Sequence, residues 1–248
     1  MKRVWGHVLA GLATLCVGAS ITTACTHDDS SMFVLDVLQP QLVSPGATCL
    51  FTSDPTQPFI SSGVLDLGLT GEYNAEYLVG NQLIQQGNTD QLRTETSIIN
   101  VEGAIVRITD AQGTQIKTYT RLAGGTIQPS TRTTPSYSPF NVTTVDNQTA
   151  TSIKPATGGT VRLITYARFF GHTLGGQYVE SNEFEFPVDV CYGCLVRLSQ
   201  MDISGTSTAS TTLPLPCFPG QDETIDCSQC SAPVCIATCP PTDAGGGG

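Results

Sequence analysis

The sequence predicts an all-β protein: an immunoglobulin-like or related β-sandwich followed by a disulfide-rich C-terminal tail. Three observations carry this expectation. Runs rich in Val, Ile, Thr, Tyr and Phe recur at strand length, separated by clusters of Gly, Pro, Asn and Asp. None of these runs repeats its apolar residues at helical spacing. Seven of the 10 cysteines fall after residue 190, where the strand-like runs stop.

A first strand is expected over 33–38, ended by Pro40, Pro45 and Gly46. Further strands are expected over 48–52, 63–69, 72–79, 102–109, 114–120, 160–170 and 177–190. Asp110 and Gly113 occupy the first and fourth places of a type I turn between two β-rich runs, so 104–119 reads as a hairpin. In 183–190, Phe184, Phe186, Val188 and Val190 alternate with Glu183, Glu185, Pro187 and Asp189, giving one core face and one wet face. Segment 160–170 differs. Val161, Leu163 and Phe169 lie on one parity and Ile164, Tyr166 and Phe170 on the other, as expected of a central strand covered on both faces.

These strands place the sandwich at 32–195, a cysteine-rich tail at 196–241 and a disordered Gly tail at 242–248. The Cys…Trp…Cys hallmark of antibody-type domains is missing, because the one tryptophan is Trp5. Segment 124–159 is rich in Thr and Pro and longer than an ordinary loop. It is expected to be either an insertion outside the core or a stretch holding short edge strands. As an insertion it offers Tyr137 and Phe140 as apolar anchors for a partner; the plainer alternative is that these rings tuck the loop onto the sandwich.

Residues 1–24 read as an export signal. Lys2 and Arg3 form a positive start, an apolar run extends to Ala19, and Thr22-Thr23-Ala24-Cys25 follows. The run is shorter than the roughly 20 residues that span a bilayer. The final residues resemble the lipobox of bacterial lipoproteins, with Ala24 and Cys25 matching and Thr22 standing where that family prefers Leu. The resemblance implies a lipid on Cys25, a tether over 25–31 and, with Thr26 in place of an inner-membrane retention Asp, the outer membrane. A periplasmic or extracellular address is the alternative, since the small residues before Cys25 also suit ordinary secretory cleavage.

Cysteine parity favours the lipid. With Cys16 in the signal and Cys25 as anchor, an even set remains: Cys49, Cys191, Cys194, Cys217, Cys227, Cys230, Cys235 and Cys239. In an exported protein this set reads as four disulfides. Cys49 precedes the other seven by more than 140 residues, so its bridge must tie an early strand to 191–239. Cys191-x-x-Cys194 with Cys227-x-x-Cys230 imitates paired zinc knuckles, but the oxidising compartment argues for disulfides and no metal or cofactor. Asp222, Glu223 and Asp226 invite a Ca²⁺ reading, against which stand plain solvated acids.

Catalytic groupings are poorly supplied. Of the three histidines, His27 adjoins the anchor and His172 reads as a turn residue before Gly175-Gly176. Glu183 and Glu185 share a strand face with Cα atoms roughly 6.6 Å apart, a solvated face rather than a glycosidase pair. The sequons at Asn141 and Asn147 read as coincidences of a Thr-rich stretch.

Composition agrees. Without Lys2 and Arg3, 9 basic residues face 21 acidic ones, which argues against nucleic acid as a partner. The order of lipobox, β-rich domain, Val188-Asp189-Val190-Cys191-Tyr192-Gly193-Cys194 and a Gly-Gln-Asp-x-x-x-Asp-Cys tail resembles cysteine-rich outer-membrane lipoproteins of myxobacteria, a group without an assigned activity. The expected function is therefore non-enzymatic: a structural or protein-interaction role in the cell envelope, such as adhesion or envelope assembly, with an envelope protein or glycan as partner. A carbohydrate or small-ligand binding module is the alternative, and a metal protein or enzyme the third. Cys25→Ser is expected to move the protein from membranes to the soluble fraction, because two acyl chains anchor stably where none remain in the variant. Fractionation checks this, and a membrane-bound variant would exclude the lipid on Cys25.

Overall fold

In the computed structural model two sheets face each other across one aromatic-rich core. The residues described are 31–42, 49–88, 93–153, 155–156, 158–197 and 216–239. The signal, Cys25 and the Gly tail lie outside them.

The smaller sheet runs β4 (Phe59–Ile60), β1 (Met32–Leu38), β6 (Tyr73–Asn81) and β9 (Ser136–Val145), in that order across the sheet. The larger runs β5 (Gly63–Asp66), β12 (Phe184–Cys191), β10 (Val161–Thr173), β7 (Ile99–Asp110) and β8 (Gln115–Ile127). β11 (Tyr178–Glu180) pairs along β10 beyond the end of β12. Neighbours in both sheets are antiparallel except β5 and β12. Two short pairs complete the described strands: β2 (Gln41–Leu42) with β3 (Cys49–Leu50), and β13 (Val196–Arg197) with β14 (Ile225–Asp226). The chain is thus an all-β sandwich-like fold with a disulfide-rich tail.

The β7–β8 hairpin forms where the sequence places it. Gly113, at φ 84°, donates its N–H to the Asp110 carbonyl, and the Asp110 carboxylate accepts the N–H groups of Gln112 and Thr114. The positive φ explains the glycine. The hairpin is longer than expected, running from Ile99 paired with Ile127 to Thr109 paired with Gln115. β12 alternates as predicted, with Phe186, Val188 and Val190 buried and Glu183 and Glu185 exposed. Pro187 lacks an N–H and sits one residue before β5 begins to pair with β12.

β10 corrects one expectation. It is central, between β12 and β7, but covered on one face only. Leu163, Thr165, Ala167 and Phe169 are buried, while Arg162 is exposed and Ile164, Tyr166, Arg168, Phe170 and His172 are half-buried on the outer face. Its apolar outer residues are shielded by long neighbours rather than by a second layer.

Segment 124–159 follows the second of its two expected alternatives, a stretch that holds an edge strand, though one strand of 10 residues rather than short ones. It is not an insertion outside the core: β9 pairs with β6 over its whole length, and α1 (Asn147–Ser152) follows it. Phe140, Val142, Val145 and Ala150 are buried, and the Phe140 ring lies 6.0 Å from that of Phe169. Phe140 is therefore a core residue and not an anchor for a partner; Tyr137 is half-buried, with its ring edge-on to Phe33 at 5.9 Å. The strand hides behind Pro139, tolerated because β9 is the sheet's edge. A six-residue helix is too short to persist alone. Asp146 caps α1 by accepting from the Thr149 N–H and hydroxyl, and the Lys117 ammonium of β8 lies 2.6 Å from its carboxylate. Burial pushes the Asp146 carboxyl up, but these partners together hold it below its ordinary range.

Between the sheets Tyr77 meets Phe169 and Phe184 edge-on at 5.4 and 6.0 Å, and Tyr73 lies 5.9 Å from Phe186. Phe140→Ala is expected to lower the unfolding free energy by about 3–5 kcal/mol. Replacing residues 126–157 with a Gly/Ser linker is expected to abolish folding. Urea unfolding followed by circular dichroism checks both; a folded linker variant would return 124–159 to the status of an insertion.

Candidate functional site

The cysteine tail and the sheet edge beside it form the most elaborate polar construction among the described residues. Four bridges join Cys49 to Cys217, Cys191 to Cys194, Cys227 to Cys239 and Cys230 to Cys235. The first spans 168 residues and ties β3 to the tail, the placement expected for Cys49. The last two staple a 3₁₀ turn at Cys227–Gln229 to α2 (Pro233–Thr238), around a small core of Val196, Ile225, Val234 and Cys235.

Asp66, at the end of β5, is fully buried and accepts three backbone N–H groups. Gly68 and Gly193 donate to Oδ1 at 2.9 and 2.7 Å, and Leu195 donates to Oδ2 at 2.9 Å. Two of these donors flank Cys194, so the carboxylate holds the Cys191-Tyr192-Gly193-Cys194 loop in place. A carboxylate satisfied in this way meets the requirement that buried polar groups be hydrogen-bonded. Asp66, Cys191 and Cys194 are also the one group among the described residues whose potential metal-ligand atoms converge, all within 4.8 Å. With the two sulfurs bonded to each other, the thiolates a zinc knuckle needs are spent.

The tail segment Gly220-Gln221-Asp222 docks on the open edge of β5. The Gly220 carbonyl accepts from the Asp66 N–H, the Asp222 N–H donates to the Val64 carbonyl, and the Val64 N–H donates to the Asp222 carboxylate at 2.8 Å. The segment also reaches the smaller sheet, where the Asn74 N–H donates to Gln221 Oε1 and the Tyr73 hydroxyl to Asp222 Oδ2, each at 2.8 Å. Gly220 has φ 92°, and a Cβ there would meet Thr70 and Leu69 at under 3 Å, so only glycine fits. The Gly-Gln-Asp motif is therefore a clamp across the two sheets.

Asp222 thus belongs to this clamp, Glu223 accepts from the Cys217 N–H, and Asp226 is buried in β14. The three carboxylates serve different parts of the tail. The sequons are similarly engaged: Asn141 donates to Glu76, and the Thr149 hydroxyl is committed to the cap of α1.

A second candidate is the outer face of the larger sheet. Arg107, Arg162 and Arg168 pair with Glu183, Asp189 and Glu180 at 2.6, 2.7 and 3.3 Å, and the Arg107 guanidinium lies 3.8 Å from the centre of the Tyr166 ring. The Arg107 partner holds the Glu183 carboxyl below its ordinary range, and Arg162 does the same for Asp189. Glu183 is thus engaged as an ion pair while Glu185 stays exposed on the same face. His172 is not a turn residue: it ends the outward row of β10, with Nδ1 2.7 Å from a Glu102 oxygen and its ring edge-on to Tyr178. The Glu102 side chain reaches it because β7 bulges between Val101 and Gly103. Sequence reasoning missed this pair because it began the strand at Glu102, whereas the bulge shifts the buried parity from Ile99 and Val101 to Ala104, Val106 and Ile108.

Burial pushes the Asp222 carboxyl up from its ordinary 3.8, only partly opposed by the Val64 and Tyr73 bonds. A raised folded-state value favours the fold below the unfolded value, and that contribution is lost as pH rises through the folded value. Asp222→Asn does not ionise, keeps an acceptor for Val64 and suits the φ of 59° at this position. It is expected to match or exceed the parent at pH 7, with the advantage shrinking toward pH 4. Asp222→Ala is expected to cost about 1–3 kcal/mol at either pH, because Val64 and Tyr73 lose their acceptor. Urea midpoints at the two pH values check this. No protein-family model, no curated protein and no solved structure matches the chain.

Proposed function

We propose that the protein is a cell-envelope lipoprotein with a structural or protein-interaction role, held by lipid on Cys25 and meeting an envelope protein through the outer face of its larger sheet. The observation that supports the reading is a row across that face. Leu122 on β8 is 88% exposed and stands opposite Gly103 on β7, which stands opposite Phe170 on β10. Gly103 has no side chain there, and a Cβ would lie 2.9 Å from the Phe170 ring. An apolar centre is thereby rimmed by the Arg168–Glu180 pair and by His172 with Glu102. Apolar centres with polar rims are the common anatomy of protein interfaces.

Tyr178 favours a second reading, a glycan ligand. It is 50% exposed, its ring lies beside His172, and its hydroxyl donates to Glu180, so an aromatic edge and carboxylate acceptors stand together.

A photo-crosslinking residue at position 122 is expected to give a discrete protein adduct in intact cells, and one at Gln148, on α1, none. Phe170→Ala combined with the crosslinker should reduce the adduct at least tenfold, equivalent to about 1.4 kcal/mol. An adduct sensitive to glycosidase, with binding on a glycan array lost in Tyr178→Ala, would favour the glycan instead. Absence of any adduct at 122 would overturn both readings of this face.

A further inference from the structure

We propose that the Cys191–Cys194 pair is a thiol–disulfide exchange site, with Cys194 the sulfur attacked by an incoming thiolate and Cys191 the buried partner that leaves and re-forms the bond. Four observations converge on it. Cys194 is exposed and Cys191 is 2% exposed, whereas the other six bridged cysteines are half-buried or buried. Exchange requires access of a thiolate to sulfur, so one end of this bridge is open and the other sheltered.

The loop does not depend on its disulfide. Asp66 holds the Gly193 and Leu195 N–H groups on either side of Cys194, and the Leu67 N–H donates to the Cys191 carbonyl at 2.9 Å. Opening the bridge leaves these bonds in place, so the sulfurs stay close enough to rejoin. The bridge also spans only three residues, against 168, 12 and 5 for the others, so it constrains the unfolded chain least.

The reduced form is provided for as well. Cys191 Sγ lies 3.5 Å from the Leu65 carbonyl, an acceptor for the thiol that reduction would create. Asp66 is a positioning residue, with a carboxylate oxygen within 4.8 Å of both sulfurs.

Finally, a landing surface adjoins the loop. Tyr192, between the two cysteines, is 57% exposed and lines an open cleft of about 390 Å³ with Leu67, Gly71, Ala150, Ile153 and Pro155. An apolar residue next to a partner's cysteine could seat there while the thiolate approaches Cys194.

The chemistry is balanced with a dithiol as reductant. One thiolate attacks Cys194 Sγ and forms a mixed disulfide as the Cys191–Cys194 bond breaks. The electron pair leaves on Cys191, which takes up a proton to become a thiol whose S–H hydrogen-bonds to the Leu65 carbonyl. The second thiol of the reductant then attacks the mixed disulfide, leaves as a cyclic disulfide and returns Cys194 as a thiol. Two electrons and two protons pass from the dithiol to the protein.

Full-length protein titrated with reduced and oxidised dithiothreitol, then alkylated and mapped by mass spectrometry, should show Cys191 and Cys194 opening together before any other bridge. Circular dichroism should remain unchanged through that step, and oxidised dithiothreitol should reverse it. A different bridge opening first, or loss of structure with this one, would overturn the assignment. Roles within the pair are tested with glutathione disulfide: Cys191→Ser should form a mixed disulfide at Cys194 at least tenfold faster than Cys194→Ser does at Cys191. Equal rates in two folded variants would likewise reject it.

Discussion

The exposed edge of β5 is the constraint on which the architecture depends. β5 is four residues long, ends the larger sheet and is joined to it by the parallel β5–β12 pair. An uncovered strand edge presents unpaired N–H and C=O groups and invites pairing with another chain. Here Gly220, Gln221 and Asp222 occupy that edge, and two of them, Gln221 and Asp222, bond to Asn74 and Tyr73 in the opposite sheet. The tail therefore finishes the sandwich rather than trailing from it. The Cys49–Cys217 bridge holds the tail's entry near the sheets, which reduces the entropy lost when the clamp closes.

Asp66 connects this edge to the CxxC loop. Its backbone N–H binds the clamp through Gly220 and its carboxylate binds the loop through Gly193 and Leu195. One buried residue thus serves both the joint between tail and sandwich and the strap around the exposed Cys194. Because the carboxylate is satisfied by backbone donors, the loop's shape does not rest on the redox state of its cysteines. A fixed loop with an adjustable bond suits exchange chemistry, and a fixed sheet with a decorated outer face suits docking. The two proposed activities use different surfaces and can be separated by mutation.

The core depends on aromatic residues contributed by both sheets. Tyr73, Tyr77 and Phe140 come from the smaller sheet, and Phe169, Phe184 and Phe186 from the larger. Edge-to-face contacts of this kind add to the area each ring buries. Phe140 depends on β9 lying against β6, which is why a segment rich in Pro and Thr is indispensable to the packing. The surface ion pairs contribute little by comparison, being solvent-screened.

Much of this was legible along the chain. Alternation in 183–190 reported one buried face, since the side-chain period of a strand is two. Asp110 and Gly113 announced the β7–β8 turn, because a local hydrogen-bond pattern and a positive φ are chemistry of adjacent residues. The even cysteine set announced bridges, and the isolation of Cys49 required one of them to be long. Other features required the three-dimensional arrangement. β9 was hidden because Pro139 and its Thr-rich neighbours read as a loop until β6 supplies the pairing partner. The role of Phe140, the His172–Glu102 pair and the Gly-Gln-Asp clamp all join residues 29 to 158 positions apart. Local sequence determined the strands, turns and bridging residues, whose preferences act over a few bonds. Tertiary structure alone decided which edge the tail covers and which cysteine faces water, because burial is a property of what the rest of the chain places nearby.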